Sequence, residues 1–316
     1  MPVAPHDSLE ARAEAAYLGL ALGDALGATV EFMTPREIAA TFGEHREIRG
    51  GGWLRLRPGH VTDDTTMSLA LGEAILGAGG QVEALPCAQA FDAWMRSKPV
   101  DIGNTVRRNL LHFRRTGTPC APPSEYDAGN GAAMRVLPVA LATFGADDAA
   151  VRAAVRCQAH VTHNNPQSDA AAELLALLIQ DALRGLPLQT LYRNRIRPFL
   201  EAWPEYVLRP RRRENPSGWV VETLQAVLQA LLDTSGIEEC LIDVVNRGGD
   251  ADTTGAIAGM LTCALHYPSL PPTRWLMALN PEIFAAVRKQ ARALIGAARK
   301  NYSTRLPDGL ALSAGA

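Results

Sequence analysis

Three features of this 316-residue sequence predict an all-α fold. The chain is 47% hydrophobic but only 6% aromatic, so its core must come mainly from Ala, Leu, Val and Gly. Ala and Leu are the strongest helix formers. Apolar residues recur at helical spacing along most of the chain, and convincing period-2 alternation is scarce. No Pro- or Ser-rich linker and no fixed-period repeat interrupts this pattern, which points to a single compact domain over 1–316.

Taken in order, a first helix is expected at about 9–28. Gly19, Gly23 and Gly27 lie four apart in it, each costing about 1 kcal/mol of helix propensity against Ala. Their common face predicts close approach of another backbone, with a ligand-facing surface as the alternative. Met67, Leu71, Ala74, Ile75 and Ala78 share one face of a second helix. Helices are expected at about 82–97, 102–116, 130–143, 147–159, 167–184 and 188–199. Val220, Leu224, Val227, Leu228 and Leu231 form the next apolar face. Ile237, Cys240, Leu241, Val244 and Val245 form another, then Ile257, Met260, Leu261, Ala264 and Leu265. A last helix covers about 280–298. Pro119–Ser124 and Arg209–Ser217 read as loops.

Charge and composition exclude several classes. With 33 acidic and 31 basic residues the formal charge is −2, which argues against nucleic-acid binding and against a polybasic membrane surface. No uncharged apolar run reaches the roughly 18 residues that suggest a membrane span, and the best candidate, Tyr17–Met33, is interrupted by Asp24 and Glu31. Residues 1–15 carry Asp7, Glu10, Arg12 and Glu14 and no apolar core of a secretory signal. The five cysteines are scattered, so reduced, buried thiols in a cytoplasmic protein are expected.

Two segments place more polar groups ahead of a helix than capping needs. One is Thr62-Asp63-Asp64-Thr65; the other is Gly248-Gly249-Asp250-Ala251-Asp252-Thr253-Thr254. Ordinary capping is the alternative reading of the first segment, whereas one cap would use only one of the polar groups in the second. If they converge, four carboxylates meet, and two unit charges about 4 Å apart repel by about 4 kcal/mol at an effective dielectric near 20. Protons or hard divalent cations such as Mg²⁺, Mn²⁺ or Ca²⁺ would relieve that repulsion. Further polar segments open other helices: Asp101-Ile102-Gly103-Asn104-Thr105 and Asp127-Ala128-Gly129-Asn130-Gly131. Thr162-His163-Asn164-Asn165 precedes a fifth. Helix N-termini aimed at one cleft would suit a diphosphate, with routine capping as the alternative.

In order along the chain, these segments resemble the ADP-ribosylglycohydrolase family. They comprise Gly19 to Gly27 with Asp24, then Glu31, Thr62–Thr65, Gly129–Gly131, Thr162–His163 and Gly248–Thr253. The resemblance spans about residues 9–297. Ala28–Thr34, Gly50–Leu54 and Pro99–Thr105 look like the subgroup that reactivates ADP-ribosylated dinitrogenase reductase. The resemblance implies an all-α fold with a binuclear Mn²⁺ or Mg²⁺ centre in a cleft, and hydrolysis of the N-glycosidic bond of ADP-ribosyl-arginine. Metal ligands would be Thr62, Asp63, Asp64, Asp250, Asp252 and Thr253. Asp101 would be the acid/base, with Glu31 competing for that role. Asn104, Gly129, Asn130, Gly131 and His163 would line the ADP-ribose pocket. Trp219 would face the substrate where the family places Tyr. The implied partners are the modified target protein and a PII signalling protein, with recruitment to a membrane through a partner. Alternatives are hydrolysis of ADP-ribosyl-serine or O-acetyl-ADP-ribose, and a non-catalytic binding or structural role. The basic loop Arg209-Pro210-Arg211-Arg212-Arg213 reads as a solvated loop or as a contact for an acidic protein.

Overall fold

The structure is a computed structural model that describes residues 8–302. Asp7 of the signal-peptide reading and both ends of the 1–316 domain lie outside the described residues. The described residues form helices in the order α1 (Leu9–Gly27), α2 (Pro35–Phe42), α3 (Asp63–Gly77), α4 (Ala84–Arg96), α5 (Asn104–Thr116), α6 (Gly131–Met134), α7 (Leu137–Ala142) and α8 (Asp148–Ala159). Then come α9 (Pro166–Leu183), α10 (Leu188–Leu191), α11 (Arg197–Ala202), α12 (Val220–Asp233), α13 (Ile237–Val245), α14 (Ala251–His266), α15 (Thr273–Ala278) and α16 (Pro281–Tyr302). A π-helical turn, Tyr192–Ile196, links α10 to α11. Among the described residues, β-type pairing is limited to two isolated antiparallel bridges, Gly51 with Leu56 and Gly129 with Trp219. The fold is all-α, as the sequence predicts.

The pairing of α1 with α14 organises the centre. Ser8 caps α1 by accepting from the Ala11 amide at 3.2 Å, and every residue from Ala13 to Gly27 is buried. A Cβ on Gly23 would lie 1.9 Å from the Gly255 carbonyl oxygen, and one on Gly259 would lie 1.9 Å from that of Gly19. Only glycine permits that approach. The glycine face of α1 therefore meets a matching glycine face on α14, and does not face a ligand. This contact brings the start of α14 against the end of α1, where a Cβ on Gly27 would strike the Ala251 carbonyl oxygen at 2.2 Å. Tyr17 Oη donates to Gln290 Oε1 at 2.6 Å, and Gln290 Nε2 donates to the Leu69 carbonyl at 2.9 Å. Those bonds tie α16 to α1 and α3.

Some expectations change. The single helix over 130–143 is two short ones, because the chain breaks at Arg135 and Pro138 restarts it in the first turn of α7. The buried Arg135 side chain bonds Gln158 and Thr162, so the break is filled by a buried polar network. The helix over 188–199 is split by the π-turn. Helix α2 buries only Ile38, too little apolar surface to show in periodicity, and is held by a Thr34–Glu37 capping box. Cys87, Cys240 and Cys263 are buried, but Cys120 and Cys157 are half-buried. Among the described residues no helix is long and apolar enough to cross a membrane.

Candidate active site

The two polar segments do not work as caps. Thr62 and Asp250 sit at the N-cap positions of α3 and α14, yet neither makes a side-chain cap bond. For α3 the cap is supplied from elsewhere. Asp24, fully buried on α1, accepts from the Thr62 amide at 2.9 Å, the Thr65 amide at 3.1 Å and the Thr65 hydroxyl at 2.5 Å. Asp24 thus satisfies orphan amides of the first turn. Thr62, Asp63 and Asp64 are freed to face other groups.

Those groups come from α14. Asp64 Oδ2 accepts from Thr62 Oγ1 and from Thr253 Oγ1, both at 3.2 Å. Asp252 Oδ1 accepts from the Thr253 amide at 2.9 Å. Asp250 Oδ2 accepts from Asn130 Nδ2 at 2.5 Å, and its amide donates to the Pro216 carbonyl at 2.8 Å. The segments therefore converge.

Above them opens a cleft of about 340 Å³, with Glu31, Asp63, Asp101, Asp250, Asp252 and Thr253 on its wall. Carboxylate oxygens of Glu31, Asp101 and Asp252 all lie within 4.8 Å of one another. This places the two expected acid/base residues beside an expected metal ligand. Trp53 Nε1 donates to Glu31 Oε2 at 2.6 Å, and Asp101 Oδ1 accepts from the Ile102 amide at 2.7 Å.

Burial is the main cause of the electrostatic stress here, and neighbouring carboxylates add to it. Burial, reinforced by Asp250, Asp101 and Asp63, outweighs the Trp53 bond and pushes Glu31 up to about 8. Burial with Asp101, Asp24 and Asp250 pushes Asp63 up to about 8. Asp64 and Asp252 are pushed well above the usual carboxylate range, again by burial first. Asp24 rises to about 6 by burial, held down by its threonine bonds.

The remaining expected residues divide. Gly129, Gly131, Asn104 and His163 line the cleft. A Cβ on Gly131 would lie 2.6 Å from His163 Cε1 and one on Gly129 3.0 Å from His163 Nε2, so these glycines make room for the imidazole. Burial keeps His163 well below its ordinary value, and Arg135 and Arg108 add to that. Asn130 also lines the cleft, but its amide is used by Thr223 and Asp250. Helix α6 is a single turn. Trp219 pairs with Gly129 through its backbone, while its indole donates to Gln167 at 3.0 Å and is not on the cleft wall. The loop Arg209–Arg213 is pinned to α12 by Gln229 and Gln225, and Arg212 and Arg213 pair with Asp243 and Glu222.

Sequence reasoning quoted Asp24, Trp53 and Phe32 within the motifs of the resemblance but gave none of them a role in the site. Asp24 had a signal: a lone acid inside an apolar, glycine-rich helix must have a buried partner. Trp53 and Phe32 sit in motifs of the resemblance, but nothing local ties them to each other or to the site, because only folding brings Trp53 to Glu31.

Divalent cations fit this donor set. It is made of hard oxygen ligands. Asp64 Oδ1 is buried with no hydrogen-bond partner, an orphan that a cation would satisfy. The crowded carboxylates need positive charge or protons to coexist.

Fold and site together define an all-α domain in which helix N-termini converge on a carboxylate-rich cleft. The chain belongs to the ADP-ribosylglycohydrolase family, whose model matches residues 5–304. It is 45% identical over 291 residues to the ADP-ribosyl-[dinitrogen reductase] glycohydrolase of Rhodospirillum rubrum, covering 92% of this chain and 98% of that one. It is 34% identical to the ADP-ribosylarginine hydrolase Tri1 of Pseudomonas putida (strain GB-1), covering 86% and 75% respectively. A solved structure named "ADP-ribosylglycohydrolase-related protein complex" superposes with a TM-score of 0.80 at 36% identity, covering 92% of this chain and 99% of that one.

Proposed function

We propose that this chain hydrolyses the N-glycosidic bond of ADP-ribosyl-arginine on a protein, using divalent cations, Mn²⁺ or Mg²⁺. ADP-ribosylated dinitrogenase reductase is the proposed target. One observation carries the reading: two would-be helix caps are diverted from capping and joined through Asp64 and Thr253 beneath an acidic cleft. The names of the Rhodospirillum and Pseudomonas relatives support dinitrogen reductase and arginine respectively.

Thr62, Asp63, Asp64, Asp250, Asp252 and Thr253 would hold the cations. When bound, they would supply Lewis-acid polarisation and a template for the ribose hydroxyls. The residues of the chain do the rest. Asn130 holds Asp250 in place, and Asp24 fixes the turn that carries Asp63 and Asp64. Asp101, half-buried on the cleft wall, takes a proton from the water that attacks the ribose carbon, while the guanidinium, which already carries its proton, breaks its bond to that carbon and leaves as neutral guanidine. The surrounding carboxylates stabilise positive charge developing on the ribose. Glu31, oriented by Trp53, is the competing proton carrier. His163, Gly129, Gly131 and Asn104 would receive the ADP-ribose.

Release of ADP-ribose from arginine-modified and serine-modified proteins, each with Mn²⁺, tests this reading. Cleavage of the arginine linkage is expected. Cleavage of serine alone would shift the assignment to the neighbouring activity, and cleavage of neither would support a binding or structural role.

A further inference from the structure

We propose that Phe32 and Trp53 form the subsite for the guanidinium of the modified arginine, an inference that rests on the arginine-hydrolase reading above. Both rings are exposed where apolar residues are usually buried, Phe32 at 64% and Trp53 at 51%. Their centroids are 5.4 Å apart with planes at 46°. Phe32 lines the same cleft as Asp63 and Asp101. Trp53 is fixed to that cleft by its bond to Glu31.

The backbone shows that this exposure is imposed. Phe32 has φ of 63°, a left-handed conformation that bulky residues rarely adopt. It is held there by the loop that carries the acidic residues: the Phe32 amide donates to the Gly249 carbonyl at 2.7 Å, and the Gly249 amide donates to the Met33 carbonyl at 2.9 Å. A strained residue that is clamped by the site and gains little burial needs a reason other than packing.

The chemistry of the pair matches a planar cation. Aromatic faces attract guanidinium, and the neighbouring carboxylates favour the same sign of charge. Among the described residues, arginines stack on Phe42, Phe91 and Phe144 but on neither of these two rings. In an arginine linkage the guanidinium is held next to the scissile bond, so it must sit beside Asp101 and Glu31. A serine linkage presents a neutral ether oxygen there and gains nothing from ring faces. The pair would thus discriminate between the two linkages.

The test measures kcat/KM for small-molecule ADP-ribosyl-arginine and the Kd for free ADP-ribose, on the full chain with Mn²⁺. Phe32→Leu keeps the apolar bulk and removes the ring. It should lower kcat/KM by roughly 2- to 30-fold, mainly through KM, and leave the ADP-ribose Kd within about twofold. Phe32→Tyr should restore the loss. The subsite is overturned if Phe32→Leu turns over like wild type, or if it weakens ADP-ribose as much as the arginine substrate. A wild-type protein that cleaves serine-linked but not arginine-linked ADP-ribose overturns the functional reading and the subsite together, before any variant is made.

Discussion

Thr253 Oγ1 donates to Asp64 Oδ2 at 3.2 Å although the two residues are 189 positions apart in the chain. This bond joins the first turns of α3 and α14 at the point where each helix would otherwise be capped locally. The same Asp64 has its second oxygen buried and unpartnered. A carboxylate bonded on one side and bare on the other is prepared for a charge that the chain itself does not provide.

A cation at this position should stabilise the fold by mass action. At a hundredfold excess over its Kd, Mn²⁺ should add about 2.7 kcal/mol, seen as a rise of several degrees in Tm by scanning fluorimetry. Asp252→Asn should abolish that rise. In chelator the same variant should be at least as stable as wild type, because one member of a crowded carboxylate group has been neutralised. An equal rise in wild type and variant would remove Asp252 from the ligand set.

The α1–α14 contact should tolerate no added carbon. Ala is the better helix former by about 1 kcal/mol. Yet a Cβ on Gly23 would meet the Gly255 carbonyl oxygen at 1.9 Å, so overpacking should win and Gly23→Ala should cost at least about 1–3 kcal/mol in chemical denaturation. Because that contact sets the start of α14, Mn²⁺ affinity measured by calorimetry should fall as well. Unchanged stability would contradict the close α1–α14 approach.

Proton transfer should separate from cation binding. Asp101→Asn should keep the Mn²⁺-induced rise in Tm and lose about 10²- to 10⁴-fold in kcat on arginine-modified protein. Glu31→Gln, assayed in parallel, decides between the two candidates. Retained turnover in Asp101→Asn with loss in Glu31→Gln would transfer the role to Glu31.

The clamp of α1 on α16 should carry a pH signature. Burial would raise the Glu14 carboxyl, but the bonds from Arg292 and Arg288 outweigh it and hold the group below its ordinary value of 4.5. A depressed carboxylate contributes stability above its unfolded value and loses it as pH falls through the folded one. Glu14→Gln should therefore cost about 1 kcal/mol at pH 7, a modest figure because both arginines are well exposed. The difference from wild type should shrink toward zero as pH falls below 4.5 and through the lowered folded value. A difference independent of pH would assign the effect to packing.

Much of this was legible in the sequence where a local pattern carried it. The bounds of α1, α8 and α9 follow from periodicity within a residue or so, and the spacing of Gly19, Gly23 and Gly27 announces a close helix contact. The surplus of oxygens at Thr62–Thr65 and Asp250–Thr254 marks the site before folding. What was hidden is tertiary. The break at Arg135 depends on Gln158 and Thr162, which no window around 130–143 contains. The role of Asp24 depends on amides about forty residues away, and its local context shows only an acid interrupting an apolar run. Gly129 and Gly131 read as a helix opening fit for phosphate, whereas their missing side chains make room for His163.

The central claim is that the converging carboxylates act through a bound cation on an arginine linkage. Release of ADP-ribose from arginine-modified protein, measured after exhaustive chelation and again after adding Mn²⁺, tests it most directly. The account predicts no release above background with the chelator and full recovery with Mn²⁺, in wild type but not in Asp252→Asn. Undiminished release in chelator, or recovery in Asp252→Asn equal to that of wild type, would contradict it.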